Sequence, residues 1–163
     1  MPARAAALPA LTHLVAATDF ERVLRERNRA STPQFSVHHL DSEPSRRPPR
    51  SRAGTPKLST SSDPASEHPV EDSSPAAPAL RLWVGAVVPK RHARRAVTRS
   101  LIKREIYAAA ARHRDALSRG LWIVRLRAPL DRARFPSAAS RALRLAVRSE
   151  LDALLTAAAA PCR

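Results

Sequence analysis

Two periods of apolar and polar positions divide the chain into elements. Residues 1 to 17 are Ala-rich and follow neither, so they are expected to form a poorly ordered N-terminal segment. Thr18-Asp19-Phe20-Glu21 has capping-box spacing, in which the threonine serves an orphan amide and the glutamate reaches back to the cap. The helix it opens runs to about Arg27, with Phe20, Val23 and Leu24 on one face. Asn28 to Pro33 reads as a turn. Gln34 to Leu40 alternates as a strand, with Phe35, Val37 and His39 on one side and Ser36, His38 and Leu40 on the other.

From Asp41 to Ala79 the pattern stops. This stretch holds eight of the fifteen prolines, many serines and almost no large apolar side chain, so burial cannot offset the entropy of ordering it. It reads as a disordered insertion, far longer than a hairpin loop. Leu80 to Val88 returns to strand composition, as a central strand of a sheet. After Pro89 comes a helix to about Arg112–Arg114, in which Ile102, Ile106, Ala109 and His113 share a buried stripe and Arg99, Lys103 and Tyr107 share another side. Ser118-Arg119-Gly120 signals a turn, and Leu121 to Leu126 a strand. A last helix is expected to open at Phe135-Pro136-Ser137. Its core stripe is Ala139, Leu143, Val147, Leu151 and Leu154, and Arg141, Arg144 and Arg148 line its outer face, read first as solvated surface and second as an RNA contact.

The order α-β-(insertion)-β-α-β-α predicts an α+β fold, a two-layer sandwich of three to four strands with about three helices. It divides the chain into one α+β domain, 18–40 and 80–157, interrupted by the 41–79 insertion and followed by a 158–163 tail.

Charge changes this picture most. The net charge of +15 and pI near 11.7 are those of nucleic-acid binders, with anionic membranes the weaker alternative. Residues 80 to 163 carry nineteen basic and five acidic side chains, so the binding surface is expected there. Between Arg81 and Arg104 stand eight Lys or Arg and no carboxylate. Exposed helices ordinarily mix acids with bases at i,i+4, so this block calls for a polyanion.

Catalytic patterns are missing. Three glycines, at 54, 85 and 120, cannot build a phosphate cradle. The five carboxylates of the basic half are dispersed, against a two-metal nuclease site. Cys162 stands alone, which leaves no disulfide or Cys-based zinc site and fits a reducing compartment. The six histidines show no ligand spacing, and His38 taken alone reads as a surface histidine. No apolar run is long enough to span a bilayer, and Pro9, Thr12 and His13 interrupt the N-terminal imitation of a signal peptide. No catalytic residue and no metal ligand is therefore expected in the protein.

Val88-Pro89-Lys90-Arg91-His92-Ala93-Arg94-Arg95-Ala96-Val97-Thr98-Arg99-Ser100-Leu101-Ile102-Lys103-Arg104 resembles the signature of the bacterial ribonuclease P protein component. Asp19 to Leu24, Gln34 to Leu40, Leu80 to Val88 and Leu121 to Leu126 extend the likeness. Two departures stand out: Ser100-Leu101 replaces the usual Asn-Arg, and Tyr107 replaces an arginine. The resemblance implies a ribosomal-protein-S5-domain-2-like fold. It also implies a cytoplasmic accessory subunit, 1:1 with a catalytic RNA and without an obligate protein partner, that assists 5′ maturation of precursor tRNA. The Mg²⁺ would belong to the RNA subunit, and no cofactor to the protein alone. Lys90, Arg91, Arg94, Arg95, Arg99, Ser100, Lys103 and Arg104 would meet RNA, with Arg99, Lys103 and Arg104 foremost. Phe20, Leu24 and His38 would line a cleft for the precursor's 5′ leader, with Leu24 and His38 standing where relatives often carry Phe and Tyr. The competing expectation is a ribosome-associated or architectural RNA-binding protein. A DNA-binding regulator lacks a clear helix-turn-helix pair.

Overall fold

The computed structural model describes residues 10–45, 81–131 and 133–160. Among them are β1 (Ala10–His13), α1 (Ala17–Arg25), β2 (Asn28–Ser31), β3 (Phe35–Leu40), β4 (Arg81–Val87), α2 (Ala96–His113), β5 (Gly120–Leu126) and α3 (Arg141–Ala159). The strands form one mixed sheet in the order β1-β4-β5-β3-β2. β4 runs parallel to β1 and β5, and β3 antiparallel to β5 and β2. The expected α+β architecture holds, with five strands rather than three to four.

The two added strands are edges with weak sequence signals. β1 lies inside the segment expected to be poorly ordered. It pairs with β4 and places Leu11 against the main core, while His13 stacks on Tyr107 of α2 at 4.1 Å. β2 occupies what reads as a turn, and its polar Asn28-Arg29-Ala30-Ser31 has no apolar alternation. It is held from outside. Arg29 donates Nε to the carbonyl of Ala158 at 2.6 Å, donates Nη1 to His39 Nδ1 at 3.1 Å, and lies over the Trp122 ring. Since arginine only donates, His39 Nδ1 accepts and its Nε2–H faces the Arg119 carbonyl at 2.9 Å.

Side-chain alternation divides the interior between the sheet's two faces. Phe35, Val37, Leu82, Val84, Trp122, Val124 and Leu126 point to one face, where Leu101, Ile102 and Ile106 of α2 and Leu143, Val147, Leu151 and Leu154 of α3 complete the main core. Leu121 and Ile123 point to the other face, covered by Leu14 and by Val23 of α1, with Phe20, Leu24, Leu40, Trp83 and Val87 partly buried around them. Gly120 sits at φ 117, and a Cβ there would stand 2.5 Å from the Leu40 carbonyl oxygen, so this turn requires glycine.

Several boundaries move. The α1 N-cap is Ala16, without a side-chain cap bond, so Thr18-Asp19-Phe20-Glu21 is not a capping box. Asp19 is instead fully buried and accepts from Ser45 N at 3.0 Å and Ser45 Oγ at 2.7 Å, with Arg22 Nη1 at 3.0 Å. This stronger use of the carboxylate fixes residues 41–45, the start of the stretch expected to be disordered, against α1. The last helix starts at Arg141 behind the Ser140 cap, whose Oγ accepts from Leu143 N at 3.1 Å, which leaves Ala139 outside it and exposed. Its end overruns the expected 158–163 tail, because Ala158 is buried. Residues 1–9, 46–80 and 161–163, which hold most of the insertion and Cys162, lie outside the described residues.

Candidate nucleic-acid interface

Between β4 and α2 the chain makes one turn, with His92 N and Ala93 N both donating to the Pro89 carbonyl at 3.1 and 3.2 Å. Ala93 is buried and pins this turn to the main core, which forces Lys90, Arg91, Arg94 and Arg95 outward. Arg95 Nη1 donates to the Pro136 carbonyl at 2.8 Å, and Thr98 Oγ1 to that of Ala138 at 2.7 Å. These two bonds hold the segment before α3 beside the start of α2, and the two segments enclose a cleft of about 280 Å³.

α2 then presents Ser100, Lys103 and Arg104 to solvent, while Leu101, Ile102 and Ile106 are at most 1% exposed. Leu101, where an RNA-facing cation is implied, therefore points into the core. Its burial contributes about 1.5–3 kcal/mol of packing. Arg99 is half-buried. Its Nη1 donates to the carbonyls of Ala93 at 3.1 Å and Arg94 at 2.7 Å, so it braces the turn as well as carrying charge. Tyr107 lies against the core and bonds the Ala86 backbone, and burial pushes its hydroxyl pKa up.

The electrostatics of this edge are one-sided. The N-terminal end of α2 carries the positive pole of the helix dipole and has no acid in its first turn, yet Arg94 and Arg95 stand beside it. Each such cation costs roughly 0.3–1 kcal/mol in the absence of an anion. Ion pairs elsewhere join Arg22 to Asp19, Arg112 to Asp152, Arg144 to Glu105 and Arg148 to Asp152. Among the described residues, none includes Lys90, Arg91, Arg94, Arg95, Arg99, Lys103 or Arg104. Arg144 and Arg148, in contrast, have partners on α2 and α3, as the solvated outer face of a helix does.

Phe20, Leu24 and His38 all lie on the α1 side of the sheet, at different places. The Phe20 ring sits on β4 at Gly85, where a Cβ would come within 2.7 Å of it. His38 is on β3, with Nδ1 3.0 Å from the Glu26 carbonyl that ends α1. Leu24 packs between these layers. One row beyond Gly85 on the same face, the strands place a half-buried residue that sequence pattern alone did not single out, Arg125. Its signal was available: an arginine inside the otherwise apolar run Leu121 to Leu126.

Among the described residues, no three His, Cys, Asp or Glu side chains converge as a metal site, and no helix is long and apolar enough to cross a membrane. A family model described as Ribonuclease P matches residues 8–150. The ribonuclease P protein component of Paraburkholderia xenovorans (strain LB400) is 44% identical over 78 residues, which is 47% of this chain and 55% of that relative's length. The RNase P protein of Staphylococcus aureus is similar in fold at a TM-score of 0.52 and 16% identity, with 88% of this chain and 92% of that chain covered. A mutant of the same protein gives the same TM-score, with 85% of its chain covered. The family match spans both faces of the sheet, the cationic turn and all of α2, and on that extent the chain belongs to the ribonuclease P family.

Proposed function

We propose that this chain is the protein subunit of a bacterial ribonuclease P, binding the catalytic RNA and the 5′ leader of precursor tRNA while the RNA cuts the bond. The observation that carries the proposal is the cationic edge from Lys90 to Arg104, without an ion pair among the described residues, which follows β4, the strand on which the Phe20 ring sits. Phosphates would neutralise that edge and release counterions, which raises affinity for RNA. Phe20 supplies a partly exposed ring on which a base could stack. In this reading Mg²⁺ is held by RNA, the protein joins it 1:1 in the cytoplasm without an obligate protein partner, and no side chain acts as acid, base or nucleophile.

Reconstitution tests it. The purified chain, a bacterial ribonuclease P RNA and labelled precursor tRNA are combined at limiting Mg²⁺, and faster 5′ cleavage than with RNA alone is the expected result. Absence of stimulation together with tight ribosomal RNA binding would instead support an architectural RNA-binding protein.

A further inference from the structure

Across the sheet, cross-strand pairing builds three rows on the α1 face: Trp83, Leu121 and Leu40; then Gly85, Ile123 and His38; then Val87, Arg125 and Ser36. The first two rows lie beneath α1, and Leu121 and Ile123 are fully buried. Two residues further along β5, on the same side, Arg125 is only half-buried, whereas Trp122, Val124 and Leu126 on the opposite side remain inside. In this third row Ser36 is still buried, Val87 partly buried and Arg125 half-buried, so the row presents a guanidinium on the α1 face of the sheet.

Among the described residues, no carboxylate or carbonyl of the protein accepts from Arg125. Its charge is nevertheless felt locally. Partial burial, then the charges of Arg91 and Arg125, hold His92 below the usual histidine pKa, and Arg91 Nε donates to His92 Nε2 at 3.0 Å. Arg125 therefore lies close to the cationic turn, between it and the Phe20 ring one row away. A half-buried arginine with unused donors, a basic turn on one side and an aromatic ring on the other match the alternating phosphates and bases of a single strand.

We infer that Arg125 is a phosphate anchor on the α1 face of the sheet, holding a single-stranded RNA segment that passes from the cationic turn toward Phe20. Under the proposed function, on which the identity of that segment rests, it is the 5′ leader. A substrate that carries this segment gains the contact and one that lacks it does not, so the anchor discriminates in favour of leader-bearing substrate.

The test uses the full chain with Arg125→Val, which suits an apolar strand, and Arg125→Lys, each checked by thermal melting. Binding of a short single-stranded oligoribonucleotide to the protein alone is measured across a salt series. Arg125→Val is expected to weaken it about tenfold and to lower the slope of log affinity against log salt by about 0.7, and Arg125→Lys to restore most of that slope. In the reconstituted enzyme, Arg125→Val is expected to weaken binding of precursor with a long leader and to spare precursor with a single-nucleotide leader. An unchanged slope, or an equal loss for both precursors, overturns the anchor. Failure of the unaltered protein to stimulate the RNA overturns the proposed function instead, and the oligonucleotide series still decides on Arg125.

Discussion

Lys103, Arg104 and Arg99 occupy one basic helix end but have different surroundings, and the difference is measurable. Lys103 and Arg104 are exposed and, among the described residues, unpaired, so Lys103→Ala and Arg104→Ala should each flatten the salt dependence of RNA binding by about 0.9 per lost phosphate contact, with melting temperature unchanged. Arg99→Ala also strands the carbonyls of Ala93 and Arg94, and should cost about 1 kcal/mol of stability as well as affinity. Salt titrations of affinity and melts of the free variants separate the two kinds of loss. Asp19 presents a second contrast. Burial alone would raise its pKa, but the bonds from Ser45 and Arg22 outweigh it and leave the carboxyl below the ordinary value of 3.8. Its contribution is therefore full above about pH 4 and is lost as pH falls through the lower folded value. Asp19→Asn should lower stability at neutral pH and reduce its further fall on acidification, as read from denaturant melts between pH 7 and 3.

The helices and strands differ in how much of them could be read from local pattern. α2 and β5 were legible because their apolar spacing coincides with what the tertiary structure buries, Ile102, Ile106 and Ala109 in one and Leu121 to Leu126 in the other. β1 and β2 were not, since a four-residue edge strand has little alternation and forms through its neighbour: β1 through β4, and β2 through β3 and the clamp of Arg29 on α3. The cationic edge was legible as composition, but its geometry was not. Sequence spacing cannot show that Arg99 turns back on carbonyls, that Leu101 faces inward, or that Arg125 is half-buried beside the strand end from which the basic turn leaves. The start of α3 was misplaced for a similar reason. Phe135-Pro136-Ser137 resembles an opening, whereas the segment is held by Arg95 and Thr98 and the helix waits for Ser140. Ser140→Ala should therefore cost about 1 kcal/mol, detectable by denaturant melts, while Ser137→Ala should leave stability nearly unchanged.

The two ends of the sheet carry separate tasks, and the chain's connectivity shows it. β3 ends and β4 begins at one end, level with Leu121, so the 41–79 stretch is rooted there. The basic turn leaves from the other end, after Val87 beside Arg125. β5 lies between β3 and β4, so the insertion does not close a hairpin, and a replacement must span two strand spacings, about 10 Å, or roughly three extended residues. Replacing residues 46–79 by a short Gly-Ser linker should leave both the melting temperature and the salt slope of RNA binding close to those of the full chain. The stretch holds almost no large apolar side chain, and its roots are remote from Lys90 to Arg104. Replacing residues 41–79 by a linker of the same span should behave differently, because Ser45 is lost and the Asp19 carboxylate keeps only Arg22. Hydrogen bonds to a charged group are worth about 1.5–3 kcal/mol, and less where water replaces them, so this larger replacement should melt earlier than the smaller one while its RNA affinity below the melt stays the same. Equal melting of the two replacements would mean that Ser45 does not anchor α1, and a reduced salt slope in the smaller one would mean that the insertion itself meets RNA.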